Sequence, residues 1–261
     1  QMALHSIFLF APAETAIASK GPAAFAIALA KAHGANLTIF SVATDVTTPG
    51  KNVDAGAIAA SLKSAADASG VCCTLVTEHS HAIGVHEAVA EHARLHDLSI
   101  TGCNSAGLLS EKIIAEYLMF ESGRPVIVVP ANYEAPYQKG PLAIAWDNSS
   151  AAARALGDAI ALFAPDQVQL LSIEGEKPLP TDLDTAQLVE VIGRRSTNAS
   201  HRFAPLSARS IAAALQEEAK ANGCGLLVMG AFGHTRLRRF VLGSATSDIL
   251  KNNQMPTLLS H

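Results

Sequence analysis

The chain has 261 residues, of which 49% are apolar and 16% are charged, with a formal net charge of −4. This length suits two domains of ordinary size or one large one, and the apolar fraction is enough to build substantial cores. The negative charge argues against nucleic acid as a main partner, because phosphate backbones favour strongly basic surfaces. No stretch approaches the ~18 uncharged apolar residues of a membrane-spanning helix, so we expect a soluble protein.

The first half of the sequence predicts five strands alternating with four helices. The strands are short apolar runs, and two of the Ala-rich helices between them end at Gly34 and Gly70. In chain order the predicted elements are strand 6–10, helix 15–33, strand 36–42, helix 54–69, strand 71–76, helix 81–95, strand 98–101, helix 111–120 and strand 125–130.

The second half repeats this order of elements. Asn148 and Ser149 supply the predicted N-cap of its first helix, and Ser207 is the candidate cap of its third. In chain order the predicted elements are strand 142–147, helix 150–163, strand 168–173, helix 182–195, strand 199–203, helix 207–222, strand 226–229, helix 244–252 and strand 256–259.

Short apolar strands that alternate with helices indicate parallel sheets covered by helices on both faces. The predicted fold class is therefore α/β, with two tandem five-stranded parallel-sheet, Rossmann-like domains. The segment YEAPYQKG contains the Pro and Gly typical of a linker, which places the domains at residues 1–137 and 138–261. In such sheets ligands bind beyond the carboxyl ends of the strands.

One loop of the second half, GAFGHTRLRRFVLGS, has the composition of a phosphate-binding loop. Gly230 and Gly233 directly follow a buried strand, and Gly243 and Ser244 open the next helix. Glycines let the backbone approach a phosphate closely, and the free amides at a helix N-terminus carry partial positive charge. Arg236, with two further arginines in the same loop, could screen a polyphosphate.

Two other strand ends in this half lead to the same crevice. Asp147 follows the first strand, where its carboxylate could accept a hydrogen bond from an exocyclic amine or a ribose hydroxyl, or could only cap the following helix. Ile173 ends the second strand, where the backbone could pair with an adenine edge and the side chain could form an apolar wall. We therefore expect Asp147, Ile173 and Gly230 to converge on one ligand.

The spacing G-x2-G-x9-G-S after a strand resembles the phosphate loop of the ATP-binding branch of the universal stress protein family. The tandem arrangement extends this resemblance over nearly the whole chain. It implies ATP, or the related ADP or AMP, as the ligand of the second domain, with Mg²⁺ as a possible companion. It also implies that Asp147 and the backbone of Ile173 contact adenine. The implied phosphate-binding residues are Gly230, Gly233, Gly243 and Ser244.

The first domain lacks both the glycine loop and the aspartate of this pattern. After its fourth strand the sequence is TGCNSAGLLSEK, so the Gly-x2-Gly loop is missing. Ala11 or Ala13 stands where the aspartate would follow the first strand. We therefore expect one nucleotide site per chain, in the second domain.

Histidines, serines and cysteines give no second site. His92 and His96 are spaced i, i+4 and could share a metal, but no third ligand is fixed by spacing, so surface histidines are predicted and a metal is not. A nucleophile elbow and a Walker motif are both missing, so no catalytic residue is predicted. The four cysteines lack C-x-x-C spacing and are predicted to be small buried hydrophobes, which favours a reducing compartment and hence the cytoplasm.

The predicted function is that of a stress-response protein that binds ATP or a related adenine nucleotide and acts as a sensor or regulator of an unidentified protein partner. Two alternatives stay open: a stress protein that acts by protein contacts without nucleotide, and a slow ATPase. The resemblance further implies that the short last strands of the two domains pair inside one chain, with a homodimer of chains as an additional option.

Overall fold

The computed structural model describes residues 4–12, 20–44, 55–80, 84–104, 110–174, 185–195, 198–231 and 244–261. The chain divides into two compact units, Leu4–Gln138 and Lys139–His261. Each unit contains five parallel strands with helices between them, so the predicted α/β fold class is confirmed.

The N-terminal unit is a parallel sheet in the order β3-β2-β1-β4-β5. All its strand pairs run parallel, because each connection crosses over through a helix. The strands are β1 (Ser6–Phe10), β2 (Asn36–Thr44), β3 (Cys73–Ser80), β4 (Leu98–Thr101) and β5 (Val126–Val128). The helices are α1 (Lys20–His33), α2 (Ala55–Ala68), α3 (Val85–Ala93) and α4 (Glu111–Glu121).

Aromatic side chains fill the core of the N-terminal unit. Phe8, Phe10, Phe25 and Phe40 are each at most 1% exposed, and the rings of Phe8 and Phe40 lie 5.5 Å apart on adjacent strands. Burial of a ring of this size stabilises the fold by about 1.5–3 kcal/mol. The first two strands thus bury large apolar side chains, as expected for a parallel sheet covered on both faces.

The C-terminal unit has the corresponding strand order β10-β9-β6-β7-β8. Its core is mainly aliphatic, with Leu170, Leu227 and Val228 fully buried. The strands are β6 (Leu142–Ala145), β7 (Gln167–Glu174), β8 (Asn198–Pro205), β9 (Leu226–Gly230) and β10 (Thr257–Ser260). The helices are α5 (Ser150–Phe163), α6 (Thr185–Gly193), α7 (Ile211–Ala221) and α8 (Ser244–Lys251).

Serine caps fix the starts of two helices in the C-terminal unit. Ser149 Oγ accepts a hydrogen bond from the Ala152 amide at 3.1 Å at the start of α5, in agreement with the sequence. At α7 the cap is Ser210, whose Oγ accepts from the Ala213 amide at 3.1 Å. The predicted cap at Ser207 is wrong, because that residue lies in a turn with a left-handed φ of 47° and the helix starts one turn later.

The segment predicted as a linker is attached to the N-terminal unit over part of its length. The ring of Tyr137 lies 5.5 Å from that of Phe25, and its hydroxyl lies 3.1 Å from His33 Nε2. Tyr133 also packs edge-on against Phe25, with ring centroids 6.2 Å apart. Burial of the phenol raises the pKa of Tyr137 to about 12. Only the last residues of the segment therefore separate the two units.

Within the residues described above, none of the helices is both long enough and apolar enough to cross a membrane.

Candidate functional site

Three predicted site residues lie at the carboxyl ends of three adjacent strands. In the C-terminal sheet, β6 is flanked by β9 on one side and β7 on the other. Leu142 of β6 is in register with Leu226 of β9 and with Val168 of β7. Extending these registers by five residues places Asp147 level with Ile173 and one step beyond Gly230. The sheet therefore brings Asp147, Ile173 and Gly230 to one edge.

Asp147 forms part of a tight turn between β6 and α5. Its Oδ1 accepts a hydrogen bond from the Ser149 amide at 3.0 Å, and the intervening Asn148 has a left-handed φ of 59°. Asparagine tolerates this backbone conformation better than most residues. Because the hydroxyl of Ser149 is the actual helix cap, Asp147 supports the cap from the preceding turn and is only partly buried.

Ile173 is the second-to-last residue of β7. Its side chain is 7% exposed, and it is in register with Ala204 of β8. The side chain is therefore largely covered by the protein's own core, and it presents little of its apolar surface to the crevice. The residue that continues the strand, Glu174, is exposed.

Gly230 has a packing role that the sequence does not reveal. A Cβ atom at this position would lie 2.4 Å from the backbone carbon of Ala151 and 2.6 Å from its carbonyl oxygen. Because Ala151 belongs to the first turn of α5, only glycine lets this helix approach the end of β9. The position is therefore constrained by helix packing as well as by any ligand.

Most of the predicted phosphate loop falls between Ala231 and Ser244. Gly233, Arg236 and Gly243 lie outside the described residues, between Ala231 and Ser244. Ser244 is the first residue of α8, so the loop leads directly into a helix N-terminus, as the sequence predicts. Such an end carries unpaired amides and partial positive charge.

A hydrogen-bonded chain that the sequence did not indicate links the residue after β6 to β7 and β8. Ser172 Oγ donates to the carbonyl of Trp146 at 2.5 Å and lies 2.8 Å from His201 Nε2, which donates to it in turn. The Trp146 amide also donates to the Leu171 carbonyl at 2.8 Å. Burial lowers the pKa of His201 and so favours the neutral form of its imidazole. Since Trp146 immediately precedes Asp147, this chain fixes the backbone that presents the carboxylate.

The Ser172–His201 pair does not have the arrangement of a catalytic dyad. Ser172 is 3% exposed, and its hydroxyl proton is donated to a backbone carbonyl. A nucleophile needs an accessible oxygen whose proton is taken up by the base. The pair therefore acts as an internal brace, and sequence patterns could not find it because its members are far apart in the chain.

The N-terminal sheet has different residues at the equivalent strand ends. Ile7 pairs with Leu98 in this sheet as Leu142 pairs with Leu226 in the other, and Gly102 follows Leu98 at the same distance as Gly230 follows Leu226. Counting from Ile7, the position equivalent to Asp147 is Pro12, a buried residue without a polar side chain. The expected equivalents, Ala11 and Ala13, are each displaced by one residue.

The histidines expected on the surface are half-buried and hydrogen-bonded. His92 Nε2 lies 2.9 Å from Glu78 Oε1, and the ring of His92 lies 4.8 Å from that of Phe40. His96 Nδ1 donates to the His92 carbonyl, and its Nε2 accepts from Thr38 Oγ1, both at 2.9 Å. The prediction of surface histidines is thus wrong, because both rings pack over the sheet. Over the described ranges, no cluster of three or more His, Cys, Asp or Glu side chains could hold a metal.

Three of the four cysteines are not fully buried, in contrast to the prediction. Cys72 is exposed, Cys73 and Cys103 are partly buried, and Cys224 is buried. Desolvation raises the pKa of Cys224 to about 11, so this thiol stays protonated and unreactive. None of these four described cysteines is part of a disulfide.

The C-terminal residues of the chain match the sequence pattern of a known protein family. Residues 206–261 match the model of the Universal stress protein family. No curated protein sequence matches the chain.

Solved structures of similar fold cover both units. A universal stress protein from Archaeoglobus fulgidus DSM 4304 aligns with 97% of this chain and 97% of its own, at 13% identity and a TM-score of 0.68. A protein described as a putative universal stress protein, from Pseudomonas aeruginosa UCBPP-PA14, aligns with 98% of this chain and 93% of its own, at 14% identity and a TM-score of 0.57. The resemblance to this family is thereby confirmed: residues 206–261 carry its sequence pattern, and the whole chain has its fold.

Proposed function

We propose that this protein, a chain with the tandem fold of universal stress proteins and their sequence pattern in its C-terminal unit, binds one adenine nucleotide per chain. The site is the carboxyl edge of the C-terminal sheet, and ATP is the proposed nucleotide because the spacing G-x2-G-x9-G-S resembles the phosphate loop of ATP-binding members of that family. Nucleotide binding would change the surface of this edge and so signal to a protein partner.

The strand order is the observation that carries this proposal. Ligands of open parallel sheets bind where neighbouring connections leave the sheet in opposite directions. In the C-terminal unit that point lies between β6, which Asp147 follows by two residues, and β9, which ends at Gly230. A glycine-rich segment follows one of these strands and a carboxylate follows the other, which would bring polar groups suited to both ends of a nucleotide close together.

Each predicted residue has a distinct role in the proposed site. Asp147 would accept a hydrogen bond from the adenine amine or a ribose hydroxyl, and the backbone at Ile173 would face the adenine edge. Gly233, Gly243 and the hydroxyl of Ser244 would surround the phosphates. Arg236 would offset their charge, with Mg²⁺ as a further counter-ion. Gly230 would act indirectly, because it sets the position of α5.

Calorimetric titration with ATP, ADP, AMP and cAMP tests the proposal, together with mass spectrometry of ligand released from the denatured protein. The decisive variant is Asp147→Asn, which keeps the side-chain oxygen that accepts from the Ser149 amide but loses the charge. A hydrogen bond to a charged group contributes about 1.5–3 kcal/mol, so we expect affinity to fall about 10- to 100-fold.

Asp166→Asn is the matched control for this substitution. Asp166 is exposed and directly precedes β7, at the opposite edge of the same sheet, so the charge change is the same but the site is not touched. We expect its affinity to equal that of the unmodified protein. Equal losses in the two variants would mean that the effect is one of overall charge and would contradict the assignment of Asp147.

The alternatives predict different results in the same experiments. A protein that acts by protein contacts alone would release no nucleotide and give no heat with any of the four ligands. A slow ATPase would release phosphate in a reaction that needs Mg²⁺ and that is lost in the Gly233→Val variant. Binding without phosphate release would favour the sensor.

A further inference from the structure

The N-terminal unit contains a buried carboxylate. Burial of a charge costs free energy unless other groups replace its hydration. Glu111 is 1% exposed, although it is the first residue of α4 and directly follows the capping residue Ser110. Its Oε2 accepts a hydrogen bond from the backbone amide of Asn104 at 3.0 Å. An ionised carboxylate is removed from water only where hydrogen bonds and positive charge replace its hydration. The amino end of a helix supplies such partial positive charge.

Glycine at position 102 creates the space that this carboxylate occupies. A Cβ atom at Gly102 would lie 2.1 Å from Glu111 Oε2, 2.3 Å from Cδ and 2.4 Å from Oε1. Among the described residues no other group is as close, so the missing side chain and the carboxylate fit each other. At the equivalent Gly230 the corresponding space is taken by the backbone of Ala151. The two units therefore fill the space beside their fourth strand in different ways.

The position of the carboxylate is that of an anionic ligand in a sheet of this kind. It lies beyond the carboxyl end of β4, the strand next to β1, and between Asn104 and the first turn of α4. Anions bind at such a place because loop amides and a helix N-terminus point toward it. In the N-terminal unit, α4 also begins sooner after Gly102 than α8 begins after Gly230, which brings Glu111 close to the strand end.

We propose that the Glu111 carboxylate is a built-in replacement for an anionic ligand in the N-terminal unit. It occupies the Asn104 amide and the space beside Gly102, so this unit takes up no phosphate group from solution. The occupied position keeps α4 docked on the loop after β4 without a ligand. Removal of the carboxylate would open a position for a small inorganic anion.

The first test is a double-mutant cycle between positions 102 and 111 in the full chain. Gly102→Ala alone should destabilise the protein, because the new methyl group collides with the carboxyl group. In the Glu111→Ser background the same change should cost much less, because the colliding atoms are gone. Stability is measured by urea denaturation. Additive effects of the two substitutions would contradict the proposed fit.

The second test follows the Asn104 amide by NMR during titration with inorganic phosphate. We expect a saturable shift of this resonance in Glu111→Ser and no shift in the unmodified chain. Glu111→Gln keeps the volume and the oxygen acceptor of the side chain. This variant should therefore fold normally and show no phosphate-dependent shift of the Asn104 amide. Glu121→Ser, at the exposed last residue of α4, makes the same charge change away from the site and should also show no shift.

The outcomes of the titration separate this proposal from nucleotide binding by the C-terminal unit. Asn104 lies in the N-terminal unit, so its amide reports on this unit whether or not the other binds ATP. A shift in Glu121→Ser as large as in Glu111→Ser would mean nonspecific anion binding and would overturn the proposal. If the Glu111→Ser protein is folded and phosphate does not shift its Asn104 amide resonance, the proposal is overturned as well.

Discussion

Gly230 illustrates at the scale of one residue how a motif position can serve packing. The sequence marks it as the first glycine of a phosphate loop, and the same composition is expected from a strand end that must admit a helix. The structure places the backbone of Ala151 where a side chain would be. Both constraints require the same residue, so the sequence pattern by itself could not separate them.

Replacement of Gly230 by Ala should therefore destabilise the C-terminal unit. The added methyl group meets backbone atoms of α5 that cannot rotate away, and overpacking of this kind costs about 1–3 kcal/mol. Urea denaturation measures the change in the free energy of unfolding. Gly225→Ala is the control, because no atom of the described residues lies within 4 Å of a Cβ placed at that position. If both variants were equally stable, the close approach of α5 to β9 would be disproved.

Among elements, α3 and the turn after it depend on the protonation state of a histidine. Burial lowers the pKa of His96, with the charge of the nearby His92 acting in the same direction and Asp97 and the backbone opposing it. The neutral ring accepts a hydrogen bond from Thr38 on β2 and packs 5.5 Å from Phe8 on β1. The contact between the end of α3 and the sheet therefore requires the neutral form.

The stability of the N-terminal unit should consequently fall in acid. An unfolded histidine has a pKa of about 6.5, so below that pH the unfolded chain binds a proton that folded His96 does not. The free energy of unfolding should decrease as pH falls from about 6.5, until pH passes below the lowered pKa of the folded state. Denaturation at several pH values should show a shallower decrease for His96→Gln.

His5→Gln is the matched control for this pH series, since His5 is exposed. Its pH dependence should match that of the unmodified protein. His201, whose pKa is also lowered by burial, contributes to the acid sensitivity of every variant, so the comparison depends on differences between variants. An unchanged slope in His96→Gln would show that His96 titrates alike in both states.

The edge strands show what sequence patterns miss at the level of elements. The sequence predicts β8 at residues 199–203, but Asn198–Pro205 pairs with β7 over eight residues. Its exposed positions carry polar residues such as Asn198 and Arg202, which lower its apparent strand propensity. The hydrogen bonds of β7 extend the strand regardless of that propensity. β3 is longer than predicted for the same reason, because β2 continues alongside it to Ser80.

At the scale of the whole molecule, the two units should respond differently to nucleotide. A ligand that binds only the folded C-terminal unit stabilises it by about 2.7 kcal/mol at a concentration of 100 Kd. Hydrogen exchange with ATP should therefore slow in β6, β7 and β9. Exchange in β1 and β4, which lead to Pro12 and Gly102, should not change. Equal slowing in both units would mean that the N-terminal unit also binds, contrary to one site per chain.

The sequence by itself determined the α/β class, the alternation of strands and helices and their repetition in two halves. These features follow from local periodicity, from capping residues and from glycines, which act within a few residues of the chain. It also pointed to Asp147, Ile173 and Gly230, because each directly follows or ends an apolar strand.

Only the tertiary structure decided which strand ends are neighbours and what fills the spaces between them. The order β9-β6-β7 places Asp147 between Gly230 and Ile173, whereas chain order places Gly230 last. The Ser172–His201 brace and the burial of Glu111 beside Gly102 join residues from different elements. Such contacts depend on strand order and close packing, which arise between distant segments and leave no periodic trace in the sequence.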